Sequence, residues 1–165
     1  MRRILFAMII IAAQKGYAAE LFCQSGETAL FSCNTGKKLI ALCASENLSK
    51  EKGYVQYRVT HNGKNQFVFP SVNTHPHGLF FESTLLWTRD DEQRVHFQNG
   101  EYSYLLYDRS FSAYPKDSRA GVMVFRNGKE IADLKCKENM DPLERAFSIW
   151  ISEREGPFEH KDFLH

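Results

Sequence analysis

The sequence contains only one long apolar run and no cluster of positive charges. The run covers residues 4–13 and is about half the ~20 residues that a membrane-spanning helix needs, so no transmembrane helix is expected. Lys and Arg total 21 against 20 Asp and Glu, and the two signs are interspersed. A nucleic-acid-binding protein needs a basic surface that displaces counterions. We therefore expect no nucleic-acid partner.

Motifs of the common enzyme classes and metal sites are absent as well. The chain has no C-x-x-C, H-E-x-x-H or G-x-S-x-G, and it has no Gly-rich phosphate loop. Ser71, His75 and Asp90 are the residue types of a catalytic triad, but no motif supports that assignment. His75-Pro76-His77 offers two imidazoles that suit zinc or copper, but the sequence indicates no third ligand. We expect no catalytic residues, metal or other cofactor, and a hydrolase stays the second alternative.

The first residues have the layout of a secretory signal peptide. Arg2 and Arg3 precede the apolar run, and Gly16-Tyr17-Ala18 places small residues at −3 and −1 of a cleavage site. We expect cleavage after Ala18 and export to the periplasm. Residues 1–18 include three cationic residues and no acid, so their removal changes the formal charge from +1 to −2. The remaining residues are enough for one domain.

Asn-Gly pairs predict tight hairpins at three places. A type I′ turn needs positive φ at both central residues, which Asn and Gly tolerate best. The pair occurs at Asn62-Gly63, Asn99-Gly100 and Asn127-Gly128, each time between apolar or alternating segments. We therefore expect strands on both sides of each pair.

Tyr, Phe and Val are concentrated in segments with period-two alternation, which is typical of strands. In residues 53–60, Val55, Tyr57 and Val59 share one face while Gln56 and Arg58 share the other, which predicts one buried and one wet face. The fold predicted for residues 19–140 is all-β, an antiparallel barrel or sandwich of about eight or nine strands. The predicted strands are residues 28–33, 38–43, 53–60, 66–69, 79–88, 94–98, 102–108, 121–126 and 129–136.

One α-helix is predicted at the C-terminal end. Asp141 can cap it and Pro142 can begin it. Its apolar side would consist of Leu143, Ala146, Phe147, Trp150 and Ile151. We expect residues 141–156 to pack on the β domain and residues 157–165 to form a flexible tail.

Four cysteines follow the expected cleavage site, and an even number in an exported chain predicts two disulfides. If residues 34–37 form a turn, Cys33 and Cys43 lie at opposite ends of one hairpin. They are then too far apart to bond, because bridged Cα atoms lie within roughly 4.4–6.8 Å. We favour Cys33–Cys136, which joins the first strand to the last, together with Cys23–Cys43. The sequence alone leaves the connectivity open.

Several segments resemble the bacterial periplasmic and membrane-bound inhibitors of c-type lysozyme. Gly78 and Phe81 fall in that family's Ser-Gly-x-x-Tyr inhibitory loop, with His77 at the serine position. The resemblance implies a small exported β-barrel with a partner cysteine in the last strand and a loop that enters the lysozyme cleft. The other matches are FSCNTGK (residues 31–37) for the Tyr-x-Cys-x-x-Gly-Lys opening, FVFP (67–70) for the strand ending in Leu-Pro, and LWTR (86–89) for the Leu-Trp strand.

A second resemblance carries no activity with it. LCAS (residues 42–45) and YVQYR (54–58) are similar to words found in small exported proteins of Gram-negative bacteria.

Two loops rich in turn-forming and aromatic residues are the candidate binding elements. They cover residues 70–78 and 109–118. Binding sites concentrate on loops held by a rigid scaffold, and Tyr and Arg are common interface anchors. The predicted partner-binding residues are Ser71, Asn73, His75, His77, Arg109 and Tyr114.

The leading expectation is inhibition of a peptidoglycan-degrading enzyme. The target would be a lysozyme or an injected toxin, and in the second case the protein would be an immunity protein. His75 or His77 would meet the acidic catalytic residues that glycosidases use. The alternative is a carrier of a small lipophilic ligand, since a barrel of eight or nine strands can hold one inside.

Overall fold

The computed structural model describes residues 22–88, 90–114 and 119–143. The predicted signal peptide of residues 1–18 and the predicted tail of residues 157–165 lie outside these residues. So does the predicted C-terminal helix beyond Leu143. Within the described ranges, no helix is long and apolar enough to cross a membrane.

Ten antiparallel strands form two five-stranded sheets. The strands are β1 (Glu27–Asn34), β2 (Leu39–Ser45), β3 (Val55–His61), β4 (Lys64–Phe69), β5 (Phe80–Leu86), β6 (Asp90–Asn99), β7 (Tyr102–Phe111), β8 (Arg119–Arg126), β9 (Lys129–Lys135) and β10 (Glu138–Asp141). Sheet A has the order β10-β1-β2-β3-β4, and sheet B has the order β5-β6-β7-β8-β9. The predicted all-β class is confirmed. The barrel alternative is wrong, because among the described strands no hydrogen-bonded pair joins sheet A to sheet B.

Positive φ angles place the hairpin turns. Both residues of Asn62-Gly63 and of Asn127-Gly128 have positive φ, as the type I′ turn requires. The third hairpin is shifted by one position, because Asn99 is the last residue of β6 and pairs with Tyr102. There Gly100 has the positive φ and Asn99 does not, so the turn begins one residue later than predicted.

Asp141, the predicted helix cap, is the last residue of a strand, and the helix that it would cap lies outside the described residues. It is the last residue of β10 and lies opposite Ser32 of β1, whose Oγ donates a hydrogen bond of 2.5 Å to the Asp141 carboxylate. The backbone N–H of Leu143 donates to the Asp108 carboxylate at 3.0 Å. The Asp141 carboxylate and the Leu143 backbone N–H therefore each have another described partner, Ser32 and Asp108 respectively.

Aromatic rings from both sheets fill the space between them. The ring centroid of Tyr57 in β3 lies 5.0 Å from that of Phe97 in β6 and 5.9 Å from that of Tyr104 in β7. Phe69 of β4 stacks on Phe97 at 4.6 Å. Such pairs contribute about 0.5–1.5 kcal/mol each beyond the apolar area that they bury. The two sheets therefore share one core, as in a sandwich.

The outer face of β3 is not wet, which corrects the expectation from alternation. Gln56 and Arg58 are 6% and 5% exposed, although they point away from the shared core. Arg58 is buried because it forms a bidentate ion pair with Glu27 of β1, at 2.5 and 2.7 Å. Alternation in the sequence could not show this, since the partner lies on another strand.

Two disulfides hold the fold, with the pairing favoured from the sequence. Cys33 bonds Cys136 across a sequence separation of 103 residues, and Cys23 bonds Cys43 across 20. Cys136 follows β9 of sheet B and Cys33 lies in β1 of sheet A, so this bridge joins the sheets. Disulfides of this kind are typical of an oxidising, exported environment.

Candidate functional site

The loop of residues 70–79 connects β4 to β5 and is held at three points. Gln56 Nε2 donates to the Pro70 carbonyl at 2.9 Å, His75 Nε2 lies 3.0 Å from the Ser49 carbonyl oxygen, and Pro76 is buried. The loop is therefore attached to both β3 and the loop before β3. Its exposed residues include Ser71, Val72, Asn73 and His77.

Of the two histidines in this loop, His75 has both ring nitrogens in contact with backbone groups of the protein. The backbone N–H of His77 donates to His75 Nδ1 at 3.3 Å, so the remaining proton of a neutral His75 ring lies on Nε2 and points at the Ser49 carbonyl. His77 is exposed. The imidazole available to a partner is therefore that of His77.

A buried ion pair, Glu27–Arg58, is connected to the start of the loop of residues 70–79 through Gln56. Glu27 accepts hydrogen bonds from Arg58 and from Tyr54 Oη, the latter at 2.7 Å, and Arg58 also donates to Gln56 Oε1 at 2.5 Å. Burial alone would raise the pKa of Glu27. The hydrogen bonds from Arg58, Tyr54 and the Gln24 backbone outweigh it and hold this pKa below its usual range. The network therefore links β1, β3 and the start of the loop.

Exposed aromatic and aliphatic side chains gather at the opposite end of β5. Leu86, the last residue of β5, and Trp87 directly after it are 77% and 46% exposed, and Tyr114, after β7, is 68% exposed. The guanidinium carbon of Arg109 lies 5.3 Å from the Trp87 ring centroid and 5.9 Å from that of Phe111. We call these five residues the Trp87 patch. Arg109 and Tyr114 were predicted as site residues, and Trp87 joins them.

Arg109 is positioned by a buried glutamate. Val95 and Phe97 of β6 face the core, so Glu92 and Arg94 lie on the other face of sheet B, yet they are only 3% and 6% exposed. One Glu92 carboxylate oxygen accepts from Arg94 Nε and the other from Arg109 Nε. The terminal amino groups of Arg109 bond to no other residue within the described ranges, which leaves them to a partner.

The positive charge of this region exceeds the negative. Arg119 lies directly opposite Arg109 in the pairing of β7 with β8, and it is exposed. On this face Arg94, Arg109 and Arg119 stand against Glu92 and Asp90. The Trp87 patch therefore presents one arginine, Arg109, and the exposed Arg119 lies directly beside it.

The two predicted loops do not form one site. Residues 70–79 lead into the first residue of β5, whereas Leu86 is its last residue and Trp87 follows it. At a rise of about 3.3 Å per residue, the strand separates them by roughly 20 Å. The structure thus places Arg109 beside Trp87 and Phe111, with Tyr114 in the turn that follows Phe111, and it places Ser71, Asn73, His75 and His77 at the other end of β5.

Phe81, which the lysozyme-inhibitor resemblance places in an inhibitory loop, lies within β5. It is half-buried and stacks on the His96 ring with centroids 5.4 Å apart. His96 is 4% exposed, and burial followed by the neighbouring Arg94 lowers its pKa to about 4. Phe81 is thus part of the sheet surface rather than of a loop tip.

A cavity of about 310 Å³ lies between the sheets. Its walls come from β3 and β4 of sheet A and from β7, β8 and β9 of sheet B, with Lys38 from the turn before β2. This volume is at the lower end of the ~300–1,000 Å³ typical of small-molecule sites. The lining residues are Lys38, Tyr57, Val59, Gln66, Phe67, Tyr102, Tyr104, Val124, Ala132 and Leu134.

Among the described residues, one group has the side-chain types and proximity of a metal site. It comprises Cys23, Glu27 and Cys43. The two cysteines are bonded to each other, and both carboxylate oxygens of Glu27 accept hydrogen bonds from Arg58. The group is therefore a disulfide beside an ion pair.

No family model matches the chain, and no curated protein or solved structure matches it significantly. Trp87 was missed as a site residue because an aromatic at the end of a predicted strand has the same sequence pattern as a core residue. Its position shortly before the acidic pair Asp90-Asp91 was the available signal.

Proposed function

We propose that the protein is an exported binding protein that inhibits a peptidoglycan-cleaving glycosidase through the Trp87 patch. The observation that carries this proposal is an exposed Trp, Leu and Tyr held beside a stacked arginine on a disulfide-linked scaffold. Trp, Tyr and Arg are the residues most enriched among interface hot spots. The signal-peptide pattern and the two disulfides support the periplasm as its location.

The charge of the patch specifies the chemistry of the partner. Glycosidases carry two catalytic carboxyl groups in their cleft. Arg109 offers free terminal amino groups to such carboxylates, and Arg119 adds a second guanidinium beside it. Arginine forms paired hydrogen bonds with carboxylates, so this match gives both attraction and orientation. The target is a lysozyme or an injected muramidase toxin.

A preorganised surface favours tight binding. Glu92 fixes Arg109 before any partner arrives, and Trp87 lies against its guanidinium. Side chains that are already ordered lose less conformational entropy on association. The loop of residues 70–79 is similarly fixed and contributes, if at all, a separate contact.

The experiment titrates a c-type lysozyme and a bacterial muramidase toxin with the purified chain and follows clearance of a peptidoglycan suspension. Trp87→Ala and Tyr114→Ala should each weaken inhibition by roughly 30-fold, as for hot-spot residues. Arg119→Met should weaken it less and mainly at low salt, because exposed charges are screened.

Two variants serve as matched controls. Ile131→Ala removes an exposed apolar side chain of β9 that is 53% exposed and lies outside the patch, so inhibition should not change. His77→Ala tests the other loop. Loss of inhibition with His77→Ala but not with Trp87→Ala would move the site to residues 70–79 and reject the patch.

A further inference from the structure

The cavity between the sheets has walls of aromatic rings. Phe67 of β4 stacks on Tyr104 of β7 with centroids 5.3 Å apart, and Tyr57 lies 5.9 Å from each of them. Tyr102 adds a fourth ring, and Val59, Val124, Ala132 and Leu134 complete an apolar lining. Such a surface favours an apolar or aromatic body over a strongly hydrated ligand.

One polar group in this wall lacks a protein partner. Tyr57 is 1% exposed, and its hydroxyl forms no hydrogen bond with any residue in the described ranges. Burial, with a smaller contribution from Tyr104, raises the pKa of Tyr57, so the hydroxyl stays protonated and is a donor. A ligand oxygen in the cavity would satisfy it.

Lys38 is the one cationic residue among the described residues that line the cavity. Lys38 is half-buried and forms no ion pair with another described residue, while Gln66 beside it is exposed. No acidic side chain lines the cavity. A half-buried ammonium without a carboxylate partner favours an anionic group on the ligand.

We propose that this cavity binds a small amphipathic carboxylate, with its apolar body among the rings of Tyr57, Phe67 and Tyr104 and its carboxylate at Lys38. This site is distinct from the Trp87 patch, whose residues do not line the cavity. It gives the protein a ligand of its own, whether or not the enzyme partner binds. The ligand is a fatty acid or an aromatic carboxylic acid, since either has the required apolar body and negative charge.

Isothermal titration of the purified, disulfide-bonded chain with decanoate and with 3-phenylpropionate tests both sources. At least one should bind at a single saturable site, and the amide shifts of the ¹⁵N-labelled chain should concentrate in β3, β4, β7 and β9. Lys38→Met should weaken binding of that acid by about tenfold and leave binding of the matching alcohol unchanged. Lys50→Met removes an exposed lysine elsewhere and should change neither.

Ala132→Trp fills the cavity and should abolish binding of acid and alcohol together. If this variant does not fold, the amide shifts of the wild-type chain locate the ligand instead. The proposal is overturned if neither acid saturates a site or if the shifts lie away from the cavity. It is also overturned if Lys38→Met binds the acid as tightly as the wild type does.

Discussion

His96 shows how a single side chain can couple this fold to pH. It lies on the outer face of β6, stacked on Phe81 and next to Arg94 along its own strand. Leu105 of β7 lies opposite it in the pairing of β6 with β7. Burial first, and Arg94 second, make the protonated ring unfavourable, so the native state holds His96 neutral at neutral pH.

Acid should therefore destabilise the protein through His96. The folded pKa of about 4 lies below the unfolded value of 6.5, so between these values the unfolded state binds more protons. Stability falls as the pH is lowered from 6.5 towards 4, by on the order of 3 kcal/mol in total. Chemical denaturation at several pH values should show that His96→Phe flattens this slope. His77→Gln, at an exposed position, should leave it unchanged; equal slopes in all three proteins would contradict the assignment.

At the scale of strands, the Glu27–Arg58 pair connects elements that the sequence shows separately. Glu27 begins β1, Arg58 lies in β3, and their side chains are 1% and 6% exposed. Removing one partner of a buried pair leaves a charge without compensation, which costs about 3–5 kcal/mol. Through Gln56 the pair also supports the Pro70 carbonyl at the start of the loop of residues 70–79.

Glu27→Gln should accordingly lower the free energy of unfolding by about 3 kcal/mol, measured by urea denaturation. The matched control is Glu101→Gln, because Glu101 pairs with Arg126 at 2.9 Å on the surface, where both side chains are about half exposed. That change should cost less than about 1 kcal/mol. Similar losses of unfolding free energy in the two variants would show that the buried ion pair stabilises the fold no more than the exposed one does.

The strands themselves were largely predictable, because alternation and turn chemistry are local signals. Asn62-Gly63 and Asn127-Gly128 predicted two hairpin turns correctly. The turn predicted at Asn99-Gly100 begins one residue later, because only Gly100 of that pair has a positive φ. β10 escaped prediction because its residues, Glu-Asn-Met-Asp, have low strand propensity. Its pairing depends on β1, a partner far away in the sequence.

At the scale of the whole molecule, the Cys33–Cys136 bridge determines how the sheets are held together. It closes a loop of 103 residues, whereas Cys23–Cys43 closes one of 20 and leaves the sheet-to-sheet contact untouched. A longer closed loop restricts the unfolded chain more.

Removing the long bridge should therefore cost more than removing the short one. In the chain-entropy model, replacing Cys33 and Cys136 by Ala costs about 4.7 kcal/mol, and replacing Cys23 and Cys43 costs about 3 kcal/mol. Thermal denaturation of the two double variants checks this order. A larger loss for Cys23 and Cys43 would mean that native packing around that bridge, rather than chain entropy, dominates.

Hairpin geometry excluded Cys33–Cys43 and left two of the three possible disulfide pairings, between which the sequence alone did not decide. The structure has the favoured one. The site could be predicted only in part. Arg109 and Tyr114 were identified by residue type, but Trp87 and Glu92 became visible only once β5, β6 and β7 were aligned. The inter-sheet cavity likewise depends on five strands that are distant in sequence, so no local pattern could reveal it.

The proposed inhibitory function depends most on the Trp87 patch. The most direct measurement is therefore glycosidase activity titrated with the wild-type chain and with Trp87→Ala. For a c-type lysozyme or a muramidase toxin, we predict that activity falls to baseline near one molar equivalent of wild-type protein. With Trp87→Ala, full inhibition should need roughly 30-fold more protein. Full enzyme activity at a large excess of wild-type chain, or equal inhibition by both proteins, would contradict the proposed function.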